Sequence, residues 1–199
     1  QWPQIGNTPG GQRYSPLAEI RADNVRRLKP KWTYRHGDFS KGNAVHGATA
    51  LEATPLMIVG TLYFCTPYNR IVALDAETGR ERWTHDPKVN LHGVYAPVCR
   101  GVAYWRDASA AAGAACAERI YEATLDAGLL AVDARSGKPC AGFGRDGRVD
   151  PRQGLGALRE AEYYATSAPL LIDDLVVTGA FVKDGQRTNA PGGGLRAWD

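Results

Sequence analysis

The sequence predicts an all-β fold made of repeated four-stranded meanders. The first repeat has strand-like runs at residues 56–59, 61–66 and 70–76, followed by a short run that carries Trp83. Glycine, proline and asparagine separate these runs at Gly60, at 67–69 and at 77–79, as is typical of tight turns between antiparallel strands. A meander of this size corresponds to one blade of a β-propeller.

The same pattern recurs twice, from Cys99 and again from Thr166. The repeats share an Ala-x-Asp turn, in which Asp75, Asp133 and Asp199 are equivalent positions 58 and 66 residues apart. Unequal spacing with a constant local pattern indicates loops inserted between the strands. Because a blade cannot bury both of its faces alone, three blades predict further blades. The sequence is therefore expected to be the N-terminal part of a longer, partial propeller of about three blades plus a closing strand.

Residues 1–50 are predicted to form an N-terminal segment, and residues 51–199 three consecutive blades of which the last is truncated. Within the segment, Asp23–Leu28 predicts one capped helical turn that ends before Pro30. Residues 31–36 predict a strand that, in a closed propeller, would supply the outer strand of the last blade and join the two chain ends. An ordinary edge strand is the alternative.

Charge and hydropathy exclude several classes of protein. The net charge is +3, and the basic residues are scattered along the sequence. They do not form the stripe expected of a nucleic-acid-binding surface. No apolar run approaches the roughly 20 residues that span a bilayer. The four cysteines have no C-x-x-C spacing, which argues against a zinc site. An even number of cysteines is compatible with two disulfides and an oxidising compartment, and buried thiols are the alternative. The sequence does not select among the possible pairings.

Three residues stand out in the blades, each with an ordinary structural alternative. Glu52 directly precedes an inner strand, where a carboxylate points toward the propeller axis or is a solvated strand-entry residue. Arg100 begins an apolar run and needs an anion, unless it extends to water at the rim. Asp184 lies in a loop, as a metal ligand or as a simple turn residue. The insertions at 106–117 and 144–162 predict exposed loops without assigned chemistry.

Motifs along almost the whole chain resemble the PQQ-dependent quinoprotein dehydrogenases, most closely the membrane-bound branch that contains glucose, quinate and polyol dehydrogenases. They are the segments GQRYSPL at 11–17, ADNV at 22–25, E-x-TPL at 52–56, LY-x-CT at 62–66, ALDA-x-TG at 73–79, CRGV-x-Y at 99–104 and TS-x-P at 166–169.

This resemblance implies an eight-bladed propeller with the cofactor pyrroloquinoline quinone (PQQ) and a calcium or magnesium ion near the axis. By position in the motifs, Glu52 would contact the quinone, Arg100 would face its ortho-quinone oxygens and Thr166 would bind a cofactor carboxylate. Asp184 falls where the family has an acidic metal ligand. These residue types suit the chemistry, because PQQ has three carboxylates and a hard divalent ion prefers oxygen ligands.

Two departures from the family pattern concern the residue that stacks on the quinone. The loop at 94–97 lacks the adjacent cysteine pair of alcohol-oxidising relatives, and Ala96 replaces the histidine of glucose-type enzymes. Tyr95 and His92 remain as candidates. The catalytic aspartate of the family is expected beyond Asp199, so no catalytic residue is assigned here.

The implied function is oxidation of a sugar, polyol or quinate-type alcohol, with electrons passed to a membrane quinone or a cytochrome. The implied location is the periplasm, attached to the inner membrane, and the 199 residues alone are expected to be inactive. The alternative is a non-catalytic propeller scaffold, such as an outer-membrane assembly lipoprotein, which would share the blade turn without the cofactor residues.

Overall fold

The computed structural model describes residues 1–8 and 10–199, and this part of the chain is almost entirely β. It contains a single short 3₁₀ helix and fifteen strands. In chain order these elements are η1 Val25–Arg27, β1 Ala50–Leu51, β2 Leu56–Ile58, β3 Thr61–Cys65, β4 Ile71–Asp75, β5 Glu81–His85, β6 Val98–Cys99, β7 Ala103–Arg106, β8 Glu118–Ala123, β9 Leu129–Asp133, β10 Arg148–Val149, β11 Tyr163–Tyr164, β12 Leu170–Ile172, β13 Leu175–Thr178, β14 Phe181–Val182 and β15 Arg196–Trp198.

Three antiparallel sheets follow one another along the chain and confirm the partial propeller. Blade 1 has the order β2-β3-β4-β5, blade 2 has β10-β9-β8-β7, and blade 3 has β12-β13-β15. The insertion predicted at 106–117 connects β7 to β8, and the one predicted at 144–162 contains β10. Two further pairs, β1 with β6 and β11 with β14, lie outside the blades. The domain boundary at residue 50 stays a prediction.

Neighbouring blades pack face to face through alternating side chains of their strands. Ile120 on β8 is buried against blade 1, where it joins Leu56 and Tyr63 in one apolar cluster. Tyr121, the next residue, is buried in a second cluster with Val176 of blade 3. Successive strand residues point to opposite faces of a sheet, so blade 2 is apolar on both faces. This face-to-face packing of successive blades is what a propeller requires.

The repeated Asp-x-x-Thr/Ser-Gly turn has a direct physical cause. The Asp75 carboxylate accepts hydrogen bonds from the Thr78 amide at 2.8 Å and from the Thr78 hydroxyl at 2.8 Å. Asp133 accepts the same two bonds from Ser136, at 2.8 and 2.7 Å. The glycine that follows has φ of +70° at Gly79, a left-handed conformation that side chains disfavour. The carboxylate thus stabilises the tight turn that recurs in blades 1 and 2.

A tryptophan from an earlier part of the chain packs on each of the two Asp-x-x-Thr/Ser-Gly turns. The Trp83 indole N–H donates to the Ala134 carbonyl at 3.1 Å, and its ring covers Gly137. Trp32 repeats the arrangement one blade earlier, with its N–H 3.3 Å from the carbonyl oxygen of Ala76. Trp32 therefore packs on the turn of blade 1 in the same way as Trp83 packs on the turn of blade 2.

Residues 31–36 belong to no sheet in the described part of the chain, so the strand predicted there stays a prediction. A strand needs a hydrogen-bonded neighbour, and the described residues contain no inner strands of a preceding blade. Side chains hold the segment instead: Arg70 donates to the Asp38 carboxylate at 3.0 Å and also to the His36 carbonyl. Closure of the propeller through this segment stays a prediction. The predicted helical turn forms as η1, without a side-chain cap from Asn24.

All four cysteines are paired in disulfides, so the alternative of buried thiols is wrong. Cys65 is joined to Cys99, and Cys116 to Cys140, with Cα–Cα distances of 5.9 and 5.8 Å. The first bond ties the end of β3 to β6, and the second ties the alanine-rich insertion to the segment after β9. No helix in the described part of the chain has the length and apolar character that crossing a bilayer requires.

Candidate functional site

The chain segments that enter the three blades lie side by side. Strands β1 and β6 pair in parallel, with Leu51 opposite Cys99. Immediately beyond this pair, the Thr54 amide donates to the Arg100 carbonyl at 3.1 Å, and the Arg100 amide donates to the Thr166 carbonyl at 2.9 Å. Main-chain hydrogen bonds therefore bring the three blade entries to one place.

Three of the predicted site residues meet at this place, and we call them the Arg100 triad. Arg100 Nε lies 3.0 Å from Glu52 Oε2, and Arg100 Nη1 donates to the Thr166 hydroxyl. The Arg100 and Glu52 side chains are 47% and 46% exposed. A guanidinium has five N–H donors, so a ligand could still reach several of them. The triad presents a cation, a carboxylate and a hydroxyl at an open surface.

Asp184 lies apart from the Arg100 triad. In the β11/β14 ribbon, Tyr163 pairs with Val182 and Tyr164 pairs with Phe181. Asp184 therefore follows the ribbon at one end, while Thr166 follows it at the other. The Asp184 side chain is exposed, and within residues 1–8 and 10–199 its carboxylate has no hydrogen bond or ion pair.

A preformed metal site is not present in the described residues. The only group of three potential ligand side chains there is Cys65, Cys99 and Glu122, and the two sulfurs are already joined in a disulfide. Asp184 offers a single carboxylate, so a metal ion bound at Asp184 would need further ligands.

The two candidates for stacking on a quinone differ in their surroundings. His92 Nδ1 lies 2.6 Å from Glu160 Oε1, so His92 bridges the connection at 88–97 to the one at 144–162. Tyr95 is 80% exposed at the end of the same connection. The loop backbone is fixed, since the Gly47 amide donates to the Val94 carbonyl at 3.1 Å. The Tyr95 ring is thus available for contact, whereas the His92 ring is engaged with the Glu160 carboxylate.

Sequence reasoning missed Glu122 on β8, which is completely buried. Asn69 Nδ2 donates to Glu122 Oε1 at 2.9 Å, while Glu122 Oε2 has no hydrogen-bond partner in the described part of the protein. Burial raises the pKa of this carboxyl group well above its ordinary value, and the hydrogen bond from Asn69 opposes that shift. The signal was available: strand alternation places Glu122 on the same buried face as Ile120.

Comparison with known proteins agrees with this architecture. Residues 2–199 match the family model described as "PQQ: Glucose/ethanol/alcohol dehydrogenase, beta-propeller domain". The glycerol dehydrogenase large subunit of Gluconobacter oxydans is 36% identical over all of this chain and 27% of its own length. The quinoprotein glucose dehydrogenase of Escherichia coli is 36% identical over all of this chain and 25% of its own length.

A solved structure shows the same fold. The quinohemoprotein alcohol dehydrogenase of Comamonas testosteroni superposes with a TM-score of 0.68 and 26% identity, over 91% of this chain and 23% of that one. The chain spans about a quarter of the length of the curated relatives that it matches. The family model covers nearly every residue of the chain. The chain therefore belongs to the family of PQQ-dependent glucose, ethanol and alcohol dehydrogenases, in which it corresponds to part of the β-propeller domain.

Proposed function

We propose that this chain forms the PQQ-binding blades of a dehydrogenase that oxidises a sugar, a polyol or a quinate-type alcohol. The observation that supports this proposal is the convergence of Glu52, Arg100 and Thr166 from three different blade entries. A structural propeller has no need of a half-exposed cation, carboxylate and hydroxyl at one point. The relatives named for glycerol and glucose support small alcohols as the class of substrate.

The chemistry of the Arg100 triad fits PQQ. Carboxylates and quinone oxygens are hydrogen-bond acceptors, and the guanidinium and the Thr166 hydroxyl are donors that form charge-assisted bonds with such groups. When bound, PQQ would supply an electrophilic quinone that accepts the two electrons of the alcohol as a hydride. Arg100 would hold the cofactor by its donors, and Thr166 would bind a carboxylate. Glu52 would hold the guanidinium in place and contact the quinone edge.

The remaining parts of the proposal extend beyond the triad. Asp184 would contribute one oxygen ligand to a calcium or magnesium ion, since hard cations prefer carboxylates. Tyr95 is the better candidate for stacking, because its ring is exposed while His92 is paired with Glu160. Two disulfides suit an oxidising compartment, which supports a periplasmic location. The proposed attachment to the inner membrane rests on the resemblance to the membrane-bound branch of the family. Electrons would pass to a membrane quinone or a cytochrome.

Cofactor binding by the full-length protein tests this proposal. PQQ is titrated with and without calcium into the wild type, Arg100→Ala and Arg152→Ala, and bound cofactor is followed by absorbance. Arg152 is a matched control, because it forms a two-pronged bond to Asp150 on the surface connection. Hydrogen bonds to charged groups contribute about 1.5–3 kcal/mol, so Arg100→Ala should weaken binding about ten- to hundredfold, while Arg152→Ala should not.

Activity is then assayed by dye reduction with aldoses, polyols and quinate. Failure of the wild type to bind PQQ, or equal binding by wild type and Arg100→Ala, would reject the proposal.

A further inference from the structure

Glu122 lies directly beside the Cys65–Cys99 disulfide, between blade 1 and blade 2. Its Oε1 is 3.3 Å from Cys99 Sγ, and because a disulfide sulfur has no hydrogen this is a packing contact and not a hydrogen bond. Asn69, which donates to the same oxygen, is itself held by the Leu125 amide at 3.0 Å. The carboxyl group is thus clamped from blade 1 by Asn69 and the disulfide.

The surroundings of Glu122 favour an uncharged carboxyl group. An ionised carboxylate is costly to bury without a paired cation, and its Oε2 has no partner among the described residues. The charged groups that act on it are Asp126, which disfavours ionisation, and Arg148, which favours it. Arg148 is already paired with Asp126 at 2.7 Å, so its charge is largely compensated.

One packing contact and one peptide bond separate this buried acid from the Arg100 triad. Cys99 contacts Glu122 and is followed in the chain by Arg100. Cys99 is fixed by the disulfide and by its pairing with Leu51 on β1. Arg100 in turn is held by main-chain bonds on both sides. A change at Glu122 that displaces Cys99 therefore displaces the guanidinium, and a negative charge at Glu122 also competes for it with an anionic ligand.

We propose that Glu122 is a positioning residue for Arg100: its uncharged carboxyl group supports the Cys99–Arg100 segment, and its ionisation weakens the binding of an anionic cofactor at Arg100. This inference rests on the proposed binding of PQQ by the triad. By reciprocal linkage, a cofactor that binds better when Glu122 is protonated also raises the affinity of Glu122 for its proton. The affinity for the cofactor then depends on pH through a group that does not touch the cofactor.

The test is the pH profile of PQQ affinity in the full-length protein. Wild type, Glu122→Gln and Glu118→Gln are compared from about pH 5 to about pH 10, a range that spans a strongly raised carboxyl pKa. Glu118 is the matched control, because it lies on the same strand β8 but is partly exposed. Titration of the cofactor itself is common to all variants. Glu122→Met, uncharged and of similar length, provides a second non-titrating variant if Glu122→Gln does not fold.

The three proteins should bind PQQ equally at the acid end. Toward alkaline pH, the wild type and Glu118→Gln should lose about tenfold more affinity than Glu122→Gln for each unit by which the cofactor raises the pKa of Glu122. Parallel profiles for wild type and both Glu122 variants would overturn the inference. The Arg100→Ala protein separates the two ideas: if it binds PQQ as the wild type does, the proposed function itself has failed.

Discussion

The contact between Trp83 and Gly137 is expected to be a principal source of adhesion between blades 1 and 2. Gly137 has φ of +69°, and a Cβ placed on it would lie 2.5 Å from Cε3 of the Trp83 ring. Gly137→Ala therefore imposes two separate costs, a strained backbone and a clash with a bulky ring. We expect Gly137→Ala to destabilise the folded protein more than a glycine-to-alanine change that strains only the backbone.

The magnitude follows from these two costs. A left-handed conformation costs an alanine about 1–2 kcal/mol. Displacing the Trp83 ring adds about 1–3 kcal/mol for overpacking. Loss of its 3.1 Å hydrogen bond to Ala134 adds about 0.5–1.5 kcal/mol. The free energy of unfolding should fall by about 2.5–6.5 kcal/mol.

Two other glycines separate the contributions. Gly154 has φ of +79°, and a methyl group added to it would have no atom within 4 Å, so Gly154→Ala reports backbone strain alone. Gly142 also has open space, and its φ lies outside the left-handed range, so Gly142→Ala should change stability by less than about 1 kcal/mol. Urea unfolding of the full-length proteins, followed by tryptophan fluorescence, measures all three. If Gly137→Ala is no less stable than Gly154→Ala, the docking of Trp83 does not hold the blades together.

Two more predictions concern the disulfide of the insertion and the blade turn. Replacing Cys116 and Cys140 together by serine removes a disulfide with a sequence separation of 24. This change should lower the free energy of unfolding by about 3 kcal/mol and leave PQQ affinity unchanged. A reduced PQQ affinity would instead place the insertion at 106–117 near the Arg100 triad. The bonds from Arg82 and then Thr78 lower the pKa of Asp75, so its stabilising contribution is present above its unfolded pKa and is lost as the pH falls through the lower folded value. Asp75→Asn should therefore flatten the acid loss of stability below about pH 4 in urea unfolding, and an unchanged acid slope would show that this pairing does not stabilise the fold.

The blade strands could be predicted because their determinants are local. Alternating apolar runs fix which residues face a neighbouring blade. The Asp75 and Asp133 turns are closed by bonds to residues two and three positions further along the chain. The triad could be predicted through the resemblance to the quinoprotein dehydrogenases, whose motifs include all three residues. Each member also stands at a blade entry, and the main-chain bonds between the entries bring the three together.

Other features depend on partners that are distant in sequence. The disulfide pairing depends on how β3 meets β6, across 34 residues, and four cysteines by themselves leave the choice open. The segment at 31–36 has strand-like composition, but it forms no strand because no described residue pairs with its backbone. Glu122 is buried by Asn69 and Cys99, neither of which is near it in sequence.

Backbone pairing, rather than the ion pair, positions the Arg100 triad. The Arg100–Glu52 pair is about half exposed, and exposed ion pairs typically contribute about 0–1 kcal/mol, so it cannot itself hold three chain segments together. The amide of Thr54 and the carbonyl of Thr166 do so, through bonds to Arg100. The side chains are then free to exchange partners with a ligand at small cost in stability. Loss of the guanidinium should therefore affect cofactor binding far more than folding, whereas a defect in blade packing should affect both.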